Sequence, residues 1–195
     1  MAFILYDPSL LATLRQEISP TIADGSPGLE YRLEQQCPRL KAVYHEVLRL
    51  TVSSATVRGI LATTSVGEKV LKSGANILIP YRQLHLNPDV FGTNAQQFHP
   101  DRFLQNKNLA KSPSFRPFGG GKTYCPGRYL AEREILTFVA LAIHRFEIDF
   151  AKGRGKREEG LLPEFPRLNT EKFCLGIMEP IKGDDLILDV KNRSL

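Results

Sequence analysis

The chain has 195 residues, with 26 Lys and Arg against 21 Asp and Glu, and a formal net charge of +5. Hydrophobic residues make up 42% and charged residues 24%, a balance that excludes wholesale disorder and suits one domain with a substantial core. Three widely separated cysteines, Cys37, Cys125 and Cys174, with no CxxC pair among them, exclude a disulfide framework and a paired-cysteine zinc site, and fit a reducing compartment.

MAFILY at the start lacks the charged leader of a signal peptide, and the longest apolar runs fall short of a membrane span, so a soluble chain is expected. PSLLATLRQEI, residues 8–18, has helical spacing, and the Pro- and Gly-rich SPTIADGSPG is expected to break it, giving a helix and linker over 8–36. In CPRLKAVYHEVLRL, 37–50, Leu40, Val43, Tyr44, Val47 and Leu48 recur as one buried helical stripe. Between 51 and 80 the short β-branched runs ATVRGI, LATTSV, EKVL and NILIP read as strands of one small sheet. YRQLHLNPDVFG reads as a short helix ending at Asn87-Pro88, and 93–117 as an irregular, meander-like but packed segment; long loops inside compact proteins are often functional. PGRYLAEREILTFVALAIHRF, 126–146, is predicted to be the longest helix, with Pro126 in its first turn. Its second half is apolar nearly all round and predicts burial. FEIDF, KFCLGIMEP and LILDVKN in the span 147–195 and its approach read as closing strands, and KGRGKR at 152–157 as a solvated loop rather than a nucleic-acid site. Helices first, small sheets beside them and no strand-helix alternation make the fold class α+β.

FGGGKTYCPGR, 118–128, carries the most chemistry. Glycine at that density belongs where main chain bends tightly or approaches something closely. Cys125 follows it at a loop-to-helix junction, where backbone N–H groups would favour thiolate. A free cysteine is commonly a small buried hydrophobe, and that alternative stands beside the functional one. A nucleophile needs a base, and His85, His99 and His144 show no recognisable pairing, so a single-thiolate metal centre is the better chemical match. Glu46 and Arg49, three apart, are either an exposed ion pair or part of a tether; Arg102 in FHPDRF adds a second guanidinium able to share one carboxylate.

Taken in order, ExxR at 46–49, PDRF at 100–103 and FxxGxxxCxG (Phe118, Gly121, Cys125, Gly127) resemble the C-terminal, proximal half of cytochrome P450, from about residue 8 to the end. The FGGG and CPGR wording is nearest fungal members and the branch of sterol hydroxylases and prostacyclin synthase. The resemblance implies a mainly helical fold with small sheets and haem b (iron protoporphyrin IX) with Cys125 as its axial thiolate. Such a thiolate pushes electron density to the iron and favours O–O cleavage, as P450 haem is known to do. It further implies a cofactor-binding loop of Phe118, Gly119, Gly121, Pro126 and Gly127, with Phe118 against the ring and the glycines aiming amides at the sulfur. Glu46, Arg49 and Arg102 match the family's structural triad, and Arg58 falls where members place a propionate-binding arginine, or is a solvent-facing strand residue.

Two departures stand out. Many members carry Arg or His two residues before the cysteine to bind a propionate; here that position is Thr123, which leaves Lys122 or Arg58 as substitutes. A family domain is also more than twice this length, so the oxygen-activating helix, most of the substrate pocket and the membrane anchor are expected to lie outside the chain. The implied activity is insertion of one O2 oxygen atom into a lipophilic small molecule. Electrons would come from a flavoprotein reductase docking on Lys111, Arg116, Lys122, Arg128 and Arg133, with full-length members at the endoplasmic reticulum membrane. Ser54 to Thr56 and Phe173 to Ile177 would line the pocket. A non-catalytic or haem-binding-only remnant, and a haem-thiolate isomerase or dehydratase, are the alternatives.

Overall fold

The structure is a computed structural model that describes residues 1–151, 163–172, 174 and 176–194. The KGRGKR stretch, Phe173 and Leu175 lie outside the described residues.

The N-terminal MAFILY forms a one-turn helix, α1 (Ala2–Leu5), and α2 (Pro8–Ala23) follows at once. Asp7 caps α2 by accepting the Leu10 N–H at 2.9 Å, and Pro8 occupies the first turn. α2 runs through Ser19-Pro20 rather than breaking there. An interior proline costs a helix about 3 kcal/mol, but Leu14, Ile18 and Thr21 on one stripe are buried, and that burial outweighs the lost bond. The chain turns at Gly25 and Gly28, both at positive φ, into a helix the sequence did not suggest, α3 (Leu29–Gln36). α4 (Pro38–Thr51) has no side-chain cap of its own; instead both carboxylate oxygens of Glu17, on α2, accept its first amides, Arg39 N at 2.8 Å and Leu40 N at 2.9 Å. A carboxylate at a helix N-terminus satisfies orphan donors and opposes the dipole.

The span 51–80 forms two separate antiparallel hairpin-like pairs, not one sheet. β1 (Ala55–Gly59) pairs β4 (Asn76–Pro80), with Arg58 opposite Ile77, and β2 (Thr64–Val66) pairs β3 (Lys69–Leu71) around Gly67. The sheets part because Ile60 and Gly74 close the first ladder through main-chain bonds, and the β2–β3 tip is exposed on both faces. The short helix expected to end at Asn87-Pro88 is α5 (Tyr81–His85), and a second short helix, α6 (Pro88–Phe91), follows it, because Pro88 cannot continue α5 and Asn87 caps the second. Segment 93–117 contains α7 (Asp101–Gln105) and a 3-10 turn, Lys107–Lys111.

The longest helix, α8, spans Arg128–Arg145, with Gly127 rather than Pro126 at its boundary. Only Leu136, Ala140 and Ile143 are fully buried on it, while Tyr129, Leu130, Ile135 and Phe138 are exposed, Phe138 at 69%. The predicted all-round burial is therefore corrected: α2, α3 and α4 pack on one side of α8, and no described element covers the other. Arg15 on α2 locks its C-terminus, donating to the carbonyls of Ile143 at 2.9 Å and Phe146 at 3.0 Å and to Glu147 at 2.7 Å. β5 (Phe146–Phe150) then pairs β6 (Leu188–Asn192). Among the described residues of KFCLGIMEP, Ile177 and Pro180 make isolated bridges instead of a strand. The core joins α2, α3, α4, α7 and α8 through Leu14, Ile18, Leu33, Leu40, Phe103 and Leu136. The class is α+β.

Candidate functional site

Glu46 and Arg49 are three residues apart on α4, so they share a face, and that face is turned inward: both are 0% exposed. The carboxylate of Glu46 accepts two parallel bonds from Arg49, each 2.8 Å, one from Arg102 Nε at 3.1 Å, and the His99 amide at 2.8 Å. What remains of the two guanidiniums is spent on main chain. Arg49 donates to the carbonyls of His85, Ala95 and Gln97, and Arg102 to those of Phe91, Asn94 and Gln97. The segment after α6 has few internal ladders, so its carbonyls need outside donors when buried. One carboxylate and two forks supply them, and this fastens the segment that leads to the cysteine loop onto α4.

The connection to the loop runs through a residue that spacing does not reveal. His85, 0% exposed, accepts the Arg116 backbone N–H at 2.8 Å on Nε2, which places the ring proton on Nδ1. Burial, with help from the Arg49 charge, pushes its pKa down to about 4. His45, set among Tyr44, Phe103 and Phe115, is likewise pushed down to about 4, by burial and then Lys41. Both are neutral at pH 7, so neither contributes a charge here. No periodic or turn signal marks His85 in the sequence; only the folding of 81–116 against α4 shows its use.

Residues 118–127 form a closed loop. The Cys125 N–H donates to the Phe118 carbonyl at 3.1 Å, and the Arg128 guanidinium donates to the Cys125 carbonyl at 2.9 Å. Arg128 is itself sandwiched, with its guanidinium carbon 4.2 Å from the Tyr124 ring centre and 4.1 Å from that of Tyr129. The peptide groups on both sides of Cys125 are thus pinned. Gly119 (φ +82°) and Gly121 (φ +67°) sit where only glycine is comfortable. Gly127 is different: its φ is −75°, and a Cβ there would lie 3.8 Å from the Cys125 sulfur, so it keeps the space beside the sulfur open rather than making a turn. Pro126 follows the cysteine outside the helix, and Phe118 packs partly on the core. Among the described residues no amide donates to the Cys125 sulfur.

Cys125 is the exposed cysteine. Cys37 is buried, with burial pushing its thiol up, and Cys174 is engaged by the Ile177 carbonyl at 3.1 Å and the Gly176 amide at 3.2 Å. Beside the glycine turn lies a cleft of about 450 Å³ lined by Arg58, Arg116 and Lys122 together with Ile79, Tyr81 and Leu84. β1 brings Arg58 to it from the sheet, Arg116 comes from just before the loop and Lys122 from within it. The described residues hold no group of three or more His, Cys, Asp or Glu able to share a metal. Of the cations suggested for docking, Arg133 pairs with Glu34 at 3.5 Å and Arg128 is held by the tyrosines.

The family model described as Cytochrome P450 matches residues 1–168. The chain belongs to the cytochrome P450 family. Among P450 relatives, it is 33% identical over 178 residues to a cytochrome P450 monooxygenase of Penicillium oxalicum, covering 86% of this chain and 36% of that protein. It is 32% identical over 181 residues to the steroid 17-alpha-hydroxylase/17,20 lyase of Felis catus, covering 90% and 34%. It is also 28% identical over 151 residues to a bifunctional cytochrome P450/NADPH–P450 reductase of Alternaria alternata, covering 76% and 14%. The chain therefore spans about a third of the length of the first P450s it matches. Haem is the cofactor this family implies. An exposed thiol on a pinned loop beside a cationic, apolar-walled cleft is a donor set that fits it. No helix among the described residues is long and apolar enough to cross a membrane.

Proposed function

We propose that this chain is the proximal, thiolate-bearing portion of a haem-thiolate monooxygenase that inserts one oxygen atom from O2 into a lipophilic substrate. The observation that carries the reading is the exposed Cys125 sulfur on a loop whose peptides are tied on both sides, next to the Arg58 cleft. Haem b, when bound, supplies the one-electron and O2 chemistry. Cys125 would hold its iron, with Gly119 and Gly121 letting the main chain turn, Phe118, Pro126 and Gly127 shaping the space around the sulfur, and Arg58 taking a propionate. Glu46, Arg49 and Arg102 act at a distance, by holding the segment from which the loop springs. Electrons would come from a flavoprotein reductase, the pairing that the name of the Alternaria relative carries within one chain. Ser54 to Thr56, at the start of β1, would face the substrate, and the full-length protein would sit at the endoplasmic reticulum membrane.

The reading is tested by the carbon monoxide difference spectrum of the reduced, haem-loaded chain. A thiolate-type band that disappears in Cys125→Ala supports the axial assignment; an identical spectrum in the variant rejects it. The open apolar face of α8 favours a second reading, a haem-holding portion without turnover of its own. Turnover of a lipophilic substrate by this chain with NADPH and reductase alone would sink that second reading.

A further inference from the structure

We propose that Arg116 and Lys122, facing Arg58 across the cleft beside the glycine turn, form the carboxylate-binding end of the porphyrin site. The inference rests on the haem reading above and deepens it. Among the described residues, three cationic side chains line this cleft and no carboxylate does, while Ile79, Leu84 and Pro113 make its apolar walls. Gathering like charges around one space costs energy that a dianion of matching shape recovers, and guanidinium forks suit carboxylates best. A planar apolar ring carrying two carboxylates on one edge satisfies both features; a small inorganic anion satisfies only the charge.

Arg116 is positioned rather than adrift. Its backbone N–H is held by His85, its Nε donates to the Pro113 carbonyl at 2.9 Å, and its guanidinium lies over Gly120. A Cβ at Gly120 would come within 3.1 Å of Arg116 Nη1, which gives the middle glycine of the three a packing role although its φ of −174° is open to any residue. Among the described residues the two terminal nitrogens of Arg116 and the Lys122 ammonium have no hydrogen-bond or carboxylate partner. They are the groups left to bind an anion. This assignment accounts for Thr123, an uncharged residue at a position where a cation is common: the charge is delivered from the residue before it and from seven residues upstream.

Metal-free protoporphyrin IX isolates this end of the site, because it offers both carboxylates and no iron for Cys125. Its fluorescence titration with the full chain is expected to give a Kd that rises about tenfold in Arg116→Gln and in Lys122→Gln, corresponding to about 1.4 kcal/mol each. Arg116→Lys should recover part of the loss. The dimethyl ester, with both carboxylates neutralised, should bind the unsubstituted chain as weakly as the acid binds the double variant, and should ignore the substitutions. Tightness should also fall as salt rises. Inorganic phosphate competing at micromolar concentration would overturn the ring-borne carboxylates as the ligand. Ester binding equal to acid binding, or Kd values within twofold across the variants, would overturn the cradle. Lys69→Gln, on the exposed β2–β3 pair and outside this cleft, should leave metal-free porphyrin binding unchanged. Acid-selective porphyrin binding together with a carbon monoxide spectrum indifferent to Cys125 would reject the axial thiolate while keeping the cradle, and failure of any porphyrin to bind would reject both.

Discussion

Replacing Glu46 with alanine removes the carboxylate shared by two guanidiniums that are 0% and 6% exposed, and leaves the His99 amide without its acceptor. At an effective dielectric of about 20, a pair of charges about 4 Å apart is worth roughly 4 kcal/mol. Stripping one partner from a buried pair typically costs about 3–5 kcal/mol, because the remaining charge is stranded without water. Here two charges are stranded, and the carbonyls of Phe91, Asn94, Ala95 and Gln97 are held by those same forks. A loss at the upper end, about 5 kcal/mol, is therefore expected, against a total stability of about 5–15 kcal/mol for a domain. Glu46→Gln keeps one acceptor oxygen and the shape, and should lose less, about 2–3 kcal/mol. Urea unfolding followed by far-ultraviolet circular dichroism gives both numbers. A double-mutant cycle with Arg49→Met should show that the second change costs far less once the first is made. A loss below about 1 kcal/mol in Glu46→Ala, with an unchanged urea slope, would refute the claim that this cluster tethers the segment.

Acid should weaken the fold through its two buried histidines. Each is neutral in the fold with a pKa of about 4, below the unfolded value of about 6.5, so the unfolded chain takes up protons first. Stability is fully present above pH 6.5 and falls as pH drops toward 4, by about 3 kcal/mol per histidine; His85→Gln should flatten that slope, as read by unfolding midpoints at pH 7 and 4.5. Gly119→Ala and Gly121→Ala place a Cβ at positive φ and should each cost about 1–2 kcal/mol. Gly127→Ala, at an ordinary φ with only van der Waals contact to the sulfur, should change thermal stability little, so equal losses at all three would contradict the loop geometry. Arg15→Met removes the donors that close the C-terminus of α8 and tie it to α2, with an expected loss of about 2 kcal/mol and faster amide exchange at Arg145 and Phe146.

Periodicity alone decided that α4 exists and that its apolar stripe of Leu40, Val43, Tyr44 and Leu48 is buried, whereas the burial of Glu46 and Arg49 on its other side was decided by packing. Order and spacing of three short motifs decided the family, and glycine density marked the cysteine loop, since few other demands bring three glycines together. Local pattern misjudged elements whose fate depends on distant neighbours. Pro20 is carried inside α2 because Ile18 and Thr21 are buried by other helices, and the apolar second half of α8 stays open because its neighbours lie on one side only. The use of His85 was illegible for the same reason: a lone histidine has no spacing, and its role arises when α5 folds against the segment before the loop. The meeting of Arg58, Arg116 and Lys122 is likewise tertiary, since residues 58 and 116 share no local geometry until β1 and the glycine loop are laid side by side. Sequence specifies which chemistry each residue carries and how the chain bends nearby; which charges share a cleft is set by packing, because long-range contacts follow from burial summed over the whole chain.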